Sequence, residues 1–132
     1  METTPTDGAF FQSGSQGVSF TEIYDGLSNT LMVGEKHIPQ GSFGVGWWDS
    51  SIYNGNYTTP TVRAAGPDYP LARSPSEYRE PAHSSAVFGS YHPGICQFAF
   101  CDGSVRPLPV GIDAHVLGLL ASRNDGEVIP EY

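Results

Sequence analysis

The stretch Ser90 to Val110, SYHPGICQFAFCDGSVRPLPV, constrains the fold more than any other part of the chain. It runs a His-Pro-Gly turn, an apolar segment, an Asp-Gly turn and a second strand-like segment one after another. Nine residues separate His92 from Asp102-Gly103, and most of them suit a pleated, half-buried surface. The pattern predicts a β-hairpin turning at Asp102-Gly103. A two-residue type I′ loop there sets Cys101 opposite Ser104 and Phe98 opposite Pro107. With Cys101/Ser104 hydrogen-bonded, Ala99/Arg106 and Gln97/Leu108 are too, so neither Pro107 nor Pro109 is asked to donate within the hairpin. Their missing N–H groups point outward, which predicts a sheet edge or irregular chain beside this strand. Alternation places Cys96, Phe98, Phe100, Val105 and Pro107 on the core face, with Gln97, Ala99, Ser104 and Arg106 opposite.

Length and composition fit one domain over residues 1–132, since the chain suits a single core. Sixteen glycines and eleven prolines disfavour long helices, while seven Tyr, seven Phe and two Trp furnish a β-rich core. A net charge of −8, with Lys36 the only lysine, argues against nucleic acid or anionic membranes as partners. No apolar run approaches the ~20 residues that span a bilayer, and no signal peptide is visible at Met1. Cys96 and Cys101 lie on one predicted strand, ~16 Å apart if extended, against a bridging limit of about 7 Å. Two free thiols are therefore expected, and no zinc-ligand spacing is present.

Along the chain, residues 1–17 read as a loosely held arm anchored by Ala9-Phe10-Phe11. Thr21 is a candidate cap for a helical turn through Glu22-Ile23-Tyr24-Asp25, with Gly26 in the left-handed position at its end. Thr30 to Ile38 reads as a strand. Residues 41–89 form a long loop-rich insertion, punctuated at Asn54-Gly55-Asn56, Gly66-Pro67-Asp68 and Ser74-Pro75. Asp113 is the expected N-cap of a short helix through Ala121, with Val116, Leu117, Leu119 and Leu120 as its apolar stripe. Asn124-Asp125-Gly126 stops that helix, and Glu127 to Ile129 suggests a last strand.

Candidate site residues each carry a structural reading beside a functional one. His92 and Asp102 resemble a dyad on paper, but one strand between them holds them ~25–33 Å apart. Asp102 then stabilises its own turn, and His92 bonds a backbone carbonyl or a carboxylate from another loop. Asp25, Gly26, Ser28, Asn29 and Thr30, with Glu35, offer hard oxygen ligands, so Asp25, Asn29 and Glu35 are a candidate Ca²⁺ set without EF-hand spacing. Asx and Ser/Thr turns use the same residue types and are the favoured reading. His37, His83 and His115 read as ordinary polar residues. Trp47-Trp48, near Tyr53 and Tyr57, offer faces for a sugar or a protein partner, although adjacent residues on a strand point oppositely. No nucleophile elbow, phosphate loop, dinucleotide fingerprint or zinc-protease motif is present, so no catalytic residue is assigned and no enzyme is expected.

The His, nine-residue spacer and Asp-Gly, followed by Ser104-Val105-Arg106, resemble the prepilin-type processing-associated domain named for its H-X9-DG motif. Two more segments match that family's order. They are Ile23-Tyr24-Asp25-Gly26-Leu27-Ser28-Asn29-Thr30 with Val33-Gly34-Glu35, and Leu120-Ala121-Ser122-Arg123-Asn124-Asp125-Gly126-Glu127-Val128. The resemblance implies an α+β, β-rich, pilin-like head with an antiparallel sheet and one short C-terminal helix. It also implies a non-catalytic role in surface filament or type II secretion assembly, at the cell surface or outside it. Such heads are usually carried by an N-terminal apolar helix, a segment this sequence does not show. Partners would be other pilin-like subunits or cell-surface proteins, and His92, Asp102, Gly103, Asp25 to Thr30, Glu35 and Glu127 would be scaffold. An extracellular carbohydrate- or calcium-binding module is the alternative, and no other cofactor is expected.

Overall fold

The structure is a computed structural model, and it describes residues 7–10, 17–46, 48–51, 53, 62–77 and 87–132. Three strands, β1 (Leu31–Gly34), β2 (Ile95–Phe100) and β3 (Val105–Pro109), form an antiparallel sheet in the order β1-β2-β3. One helix, α1 (Ala114–Ala121), packs its buried side chains onto it. This is the small, β-rich α+β architecture expected.

The hairpin forms where the Asp-Gly dipeptide predicts, but its loop is one residue longer. Phe98 pairs with Arg106 and Cys96 with Leu108, which leaves Cys101-Asp102-Gly103 as a three-residue loop. The Gly103 N–H donates to Phe100 O at 2.9 Å, and Phe100 N–H to Ser104 O at 2.9 Å. Gly103 carries a φ of 84°, the left-handed residue that such a loop requires after its turn. The extra residue inverts the facing of β3, because the side-chain period is two. Leu108 is therefore buried at 2 % exposure, while Val105 stands 67 % exposed and Pro107 and Pro109 point to solvent. Arg106 joins the core side, its guanidinium 3.5 Å from the centre of the Phe100 ring. On β2 the expected alternation holds, with Cys96, Phe98 and Phe100 buried. The prolines still avoid the hydrogen-bonded positions: bonds at Phe100/Ser104 and from Val110 N–H to Gly94 O place Pro107 and Pro109 at alternate sites of an edge strand.

The core joins Leu31 of β1, Cys96, Phe98 and Phe100 of β2, Leu108 of β3 and Val116, Leu117 and Leu120 of α1. Leu71 completes it at 2 % exposure, so the loop-rich segment contributes to the interior as well as to the surface. Asp113 caps α1 as expected, its carboxylate accepting from His115 N–H at 2.8 Å and Val116 N–H at 3.2 Å.

Three other expectations are corrected. The first helical turn is a 3-10 turn at Phe20–Glu22 preceded by Ser19, not capped by Thr21. The Glu22 carboxylate reaches back to Ser19 N–H at 2.8 Å and Ser19 Oγ at 2.7 Å, which starts the turn earlier. The strand expected over Thr30 to Ile38 ends at Gly34, after a register shift between Leu31 and Val33. Past that point the chain turns to a new neighbour, with Gly89 N–H donating to Glu35 O at 3.0 Å and His37 N–H to Val87 O at 3.2 Å. Glu127 to Ile129 form no strand, because Asp25 takes the N–H groups just before them, and Ile129 packs against the core.

Candidate functional site

The three motif segments meet in space, and the loop Asp25–Thr30 is their hub. Asp25 N–H donates to Arg123 O at 3.1 Å. Its carboxylate accepts from Asp125 N–H at 2.9 Å and Gly126 N–H at 3.0 Å, across about a hundred residues of sequence. Gly26, at a φ of 98°, lets the loop turn back. Asn29 then closes it, donating its side-chain amide to Asp25 O at 3.1 Å. Thr30 is fully buried, and its hydroxyl reaches Gly26 O at 3.1 Å and Ser122 O at 3.5 Å.

The hairpin tip docks on the same loop. Asp102 N–H donates to Leu27 O at 3.0 Å, Cys101 N–H to Thr30 O at 2.9 Å, and the Arg106 guanidinium to Ser28 O. Within the tip, Asp102 Oδ1 accepts from Ser104 N–H at 2.9 Å and Ser104 Oγ at 2.7 Å. Those Ser104 bonds, from the hydroxyl and then the amide, hold the Asp102 carboxyl below the usual range.

At the far end of β2, Glu35 does comparable work. Its Oε2 accepts from Gln97 N–H at 2.7 Å, and its Oε1 lies 3.4 Å from His92 Nε2. His92 thus meets a carboxylate from another segment, and Asp102 stands beyond the opposite end of the six-residue strand, on the order of 20 Å away. The expected separation of His92 and Asp102 is what the fold shows. Cys96, in the middle of this cluster, is fully buried and free, as is the buried Cys101. Desolvation, with the Glu35 charge second, pushes the Cys96 thiol up to about 12.

The candidate Ca²⁺ residues point to separate tasks. Both Asp25 oxygens accept backbone N–H groups, one Glu35 oxygen does the same, and Asn29 serves its own loop. Among the described residues no three His, Cys, Asp or Glu side chains are grouped to hold a metal ion. Glu127 is exposed and donates its N–H to Asp125 Oδ1 at 2.8 Å. Trp48 is half-buried in a run of turns and not on a strand, and Tyr53 is 94 % exposed. Trp47, Tyr57, His83, Phe11 and Asn54-Gly55-Asn56 lie outside the described residues. His37 is buried with Nε2 2.7 Å from Glu77 O, and His115 is exposed. In the N-terminal arm, Phe10 is 62 % exposed. Of the described arm residues, Asp7 and Gly8 are held by Arg123, which donates its N–H to Asp7 O at 3.0 Å and its Nη1 to Gly8 O at 2.6 Å. That anchor carried no hydrophobic signal in the sequence.

No curated protein matches this chain, and no solved structure matches it. A family profile, SBP_bac_10, matches residues 1–115, which spans all of the hub and the hairpin but not the Asp125-Gly126 segment that closes it. The chain therefore belongs to the family described as Protein of unknown function (DUF1559).

Proposed function

We propose that this domain is the non-catalytic head of a pilin-like or pseudopilin-like exported protein, acting through assembly or display at the cell surface. The observation that supports it is the use of the motif residues. Asp25, Thr30 and Glu35 spend side-chain polar atoms on backbone groups of distant segments, while Asn29 and Asp102 close their own turns, which is the work of a scaffold. Two buried free thiols are compatible with export, because burial shields both from oxidation and exchange. In this reading the partners are other pilin-like subunits, and the outward surface confers specificity.

The test is performed on the full-length protein in the cells that encode it. Antibodies raised against this domain should label the cell exterior or a sheared surface fraction. The full-length protein should also fail to shorten when the prepilin peptidase gene is deleted. Recovery of an unprocessed protein in the cytoplasmic fraction of wild-type cells would overturn the proposal.

A further inference from the structure

Four Asp-Gly junctions occur in the sequence, Asp7-Gly8, Asp25-Gly26, Asp102-Gly103 and Asp125-Gly126, and all four lie within the described residues. Such a junction is chemically labile. The glycine amide nitrogen attacks the aspartyl Cγ, a water molecule leaves, and water then opens the five-membered succinimide at either carbonyl. Opening at the α-carbonyl leaves an isoaspartyl residue, with the main chain running through the former side chain and no net change in mass. Glycine permits the ring because it has no Cβ to obstruct it. All four junctions share that glycine, so the hold the fold keeps on the two reacting groups decides which one turns over.

At three junctions both groups are held. Gly26 N–H donates to Ile23 O at 3.3 Å, Gly103 N–H to Phe100 O at 2.9 Å and Gly126 N–H to Asp25 Oδ1 at 3.0 Å. The carboxylates are occupied as well: Asp25 accepts from the Asp125 and Gly126 N–H groups, Asp102 from Ser104 N–H and Oγ, and Asp125 from Glu127 N–H. Bringing nitrogen and Cγ together there breaks hydrogen bonds and requires local opening. Asp7-Gly8 differs on both counts. Among the described residues neither the Asp7 carboxylate nor the Gly8 N–H has a hydrogen-bond partner, and Asp7 is exposed. The bonds at this junction fall on its carbonyls, from Arg123 N–H to Asp7 O at 3.0 Å and from Arg123 Nη1 to Gly8 O at 2.6 Å. A donor on the Asp7 carbonyl draws electron density from the Asp7–Gly8 amide, which makes the Gly8 N–H more acidic and its nitrogen more readily the nucleophile.

We propose that Asp7-Gly8 is a modification site, the junction at which this domain spontaneously forms isoaspartate while the fold protects the other three. The site is independent of the assembly role and holds whether or not that role is correct.

Prolonged incubation at body temperature and mildly acid pH, of the native protein and of the protein in guanidinium chloride, tests it. Isoaspartate is read by isoaspartyl methyltransferase labelling of chymotryptic peptides, since cleavage after Phe10 separates Asp7 from Asp25. In the native protein it should form at Asp7 about tenfold or more faster than at Asp25, Asp102 or Asp125, because those three must open first. In guanidinium chloride the four rates should converge. Gly8→Val places a branched side chain on the attacking residue and should suppress the Asp7 product at unchanged circular dichroism, because Gly8 is outside the left-handed region and a Cβ there would meet nothing closer than Ala121 O at 3.8 Å. Native selectivity for Asp7 below that factor, the same selectivity persisting in denaturant, or an undiminished product in folded G8V would each overturn the proposal, and the first two comparisons decide it even if G8V does not fold.

Discussion

Asp25 ties together two segments that the sequence keeps about a hundred residues apart, through two bonds from backbone N–H groups to its carboxylate. Asp25→Ala should destabilise the domain by about 1–3 kcal/mol, within the range for hydrogen bonds to a charged group, as read from urea unfolding. Asp102, Asp49 and Glu22 share another property. Hydrogen bonds from the Ser104 hydroxyl, the Gly44 N–H and the Ser19 hydroxyl, respectively, hold these carboxyls below their ordinary values. A folded-state value below the unfolded one gives stability that is complete above the unfolded pKa and is lost as pH falls through the folded one. Stability should therefore be level down to the ordinary carboxyl values of 4.5 and 3.8 and decline in more acid solution. Asp102→Asn should flatten that decline, measured as Tm between neutrality and pH ~2. The thiols supply a third test. With Cys96 and Cys101 buried, a colorimetric disulfide reagent should label neither in the native protein at neutral pH and both in urea, and rapid native labelling would contradict the packing. At this scale Asp102 was legible because an Asp-Gly turn is self-contained. Asp25 was legible as a turn residue and a candidate Ca²⁺ ligand but not as a bridge between segments, since its partners are distant.

Among the elements, the hairpin shows how much one loop residue decides. A two-residue loop would have buried Val105 and Pro107 and turned Leu108 outward. The three-residue loop buries Leu108 instead and lets Arg106 cover Phe100. Gly34, at the end of β1, makes a second element-scale point. A Cβ there would meet Phe88 at 2.7 Å as well as the Phe98 ring, whose edge-to-face contact with Phe88 spans 5.0 Å between centroids. Gly34→Ala should cost about 1–3 kcal/mol through overpacking, visible as a lowered denaturation midpoint with an unchanged slope. At α1, Asp113→Ala should cost ~0.5–2 kcal/mol, the usual value of a lost N-cap. The helix was read correctly from end to end because cap and apolar stripe are local signals. The β1 boundary was not, because it depends on where the chain exchanges β2 for the segment at 87–89.

For the whole molecule, the acidic net charge of −8 invites a divalent cation, and the geometry argues against the loop that seemed best suited to hold one. With Asp25 and Glu35 committed to N–H groups, millimolar Ca²⁺ should leave Tm unchanged relative to a chelator, and a rise of several degrees would show that the loop can rearrange around the ion. The sequence alone determined the hairpin's location, the buried face of β2, the helix with its cap and the improbability of a His92–Asp102 pair. Each follows from spacing within about a dozen residues, where backbone geometry leaves few choices. Tertiary structure alone decided the facing of β3, the union of three motif segments around Asp25–Thr30 and the pairing of Glu35 with His92. Those depend on which of several satisfied local arrangements also buries Leu108 and Thr30 and leaves the hub's backbone groups bonded, and that choice is made only when the distant segments pack together.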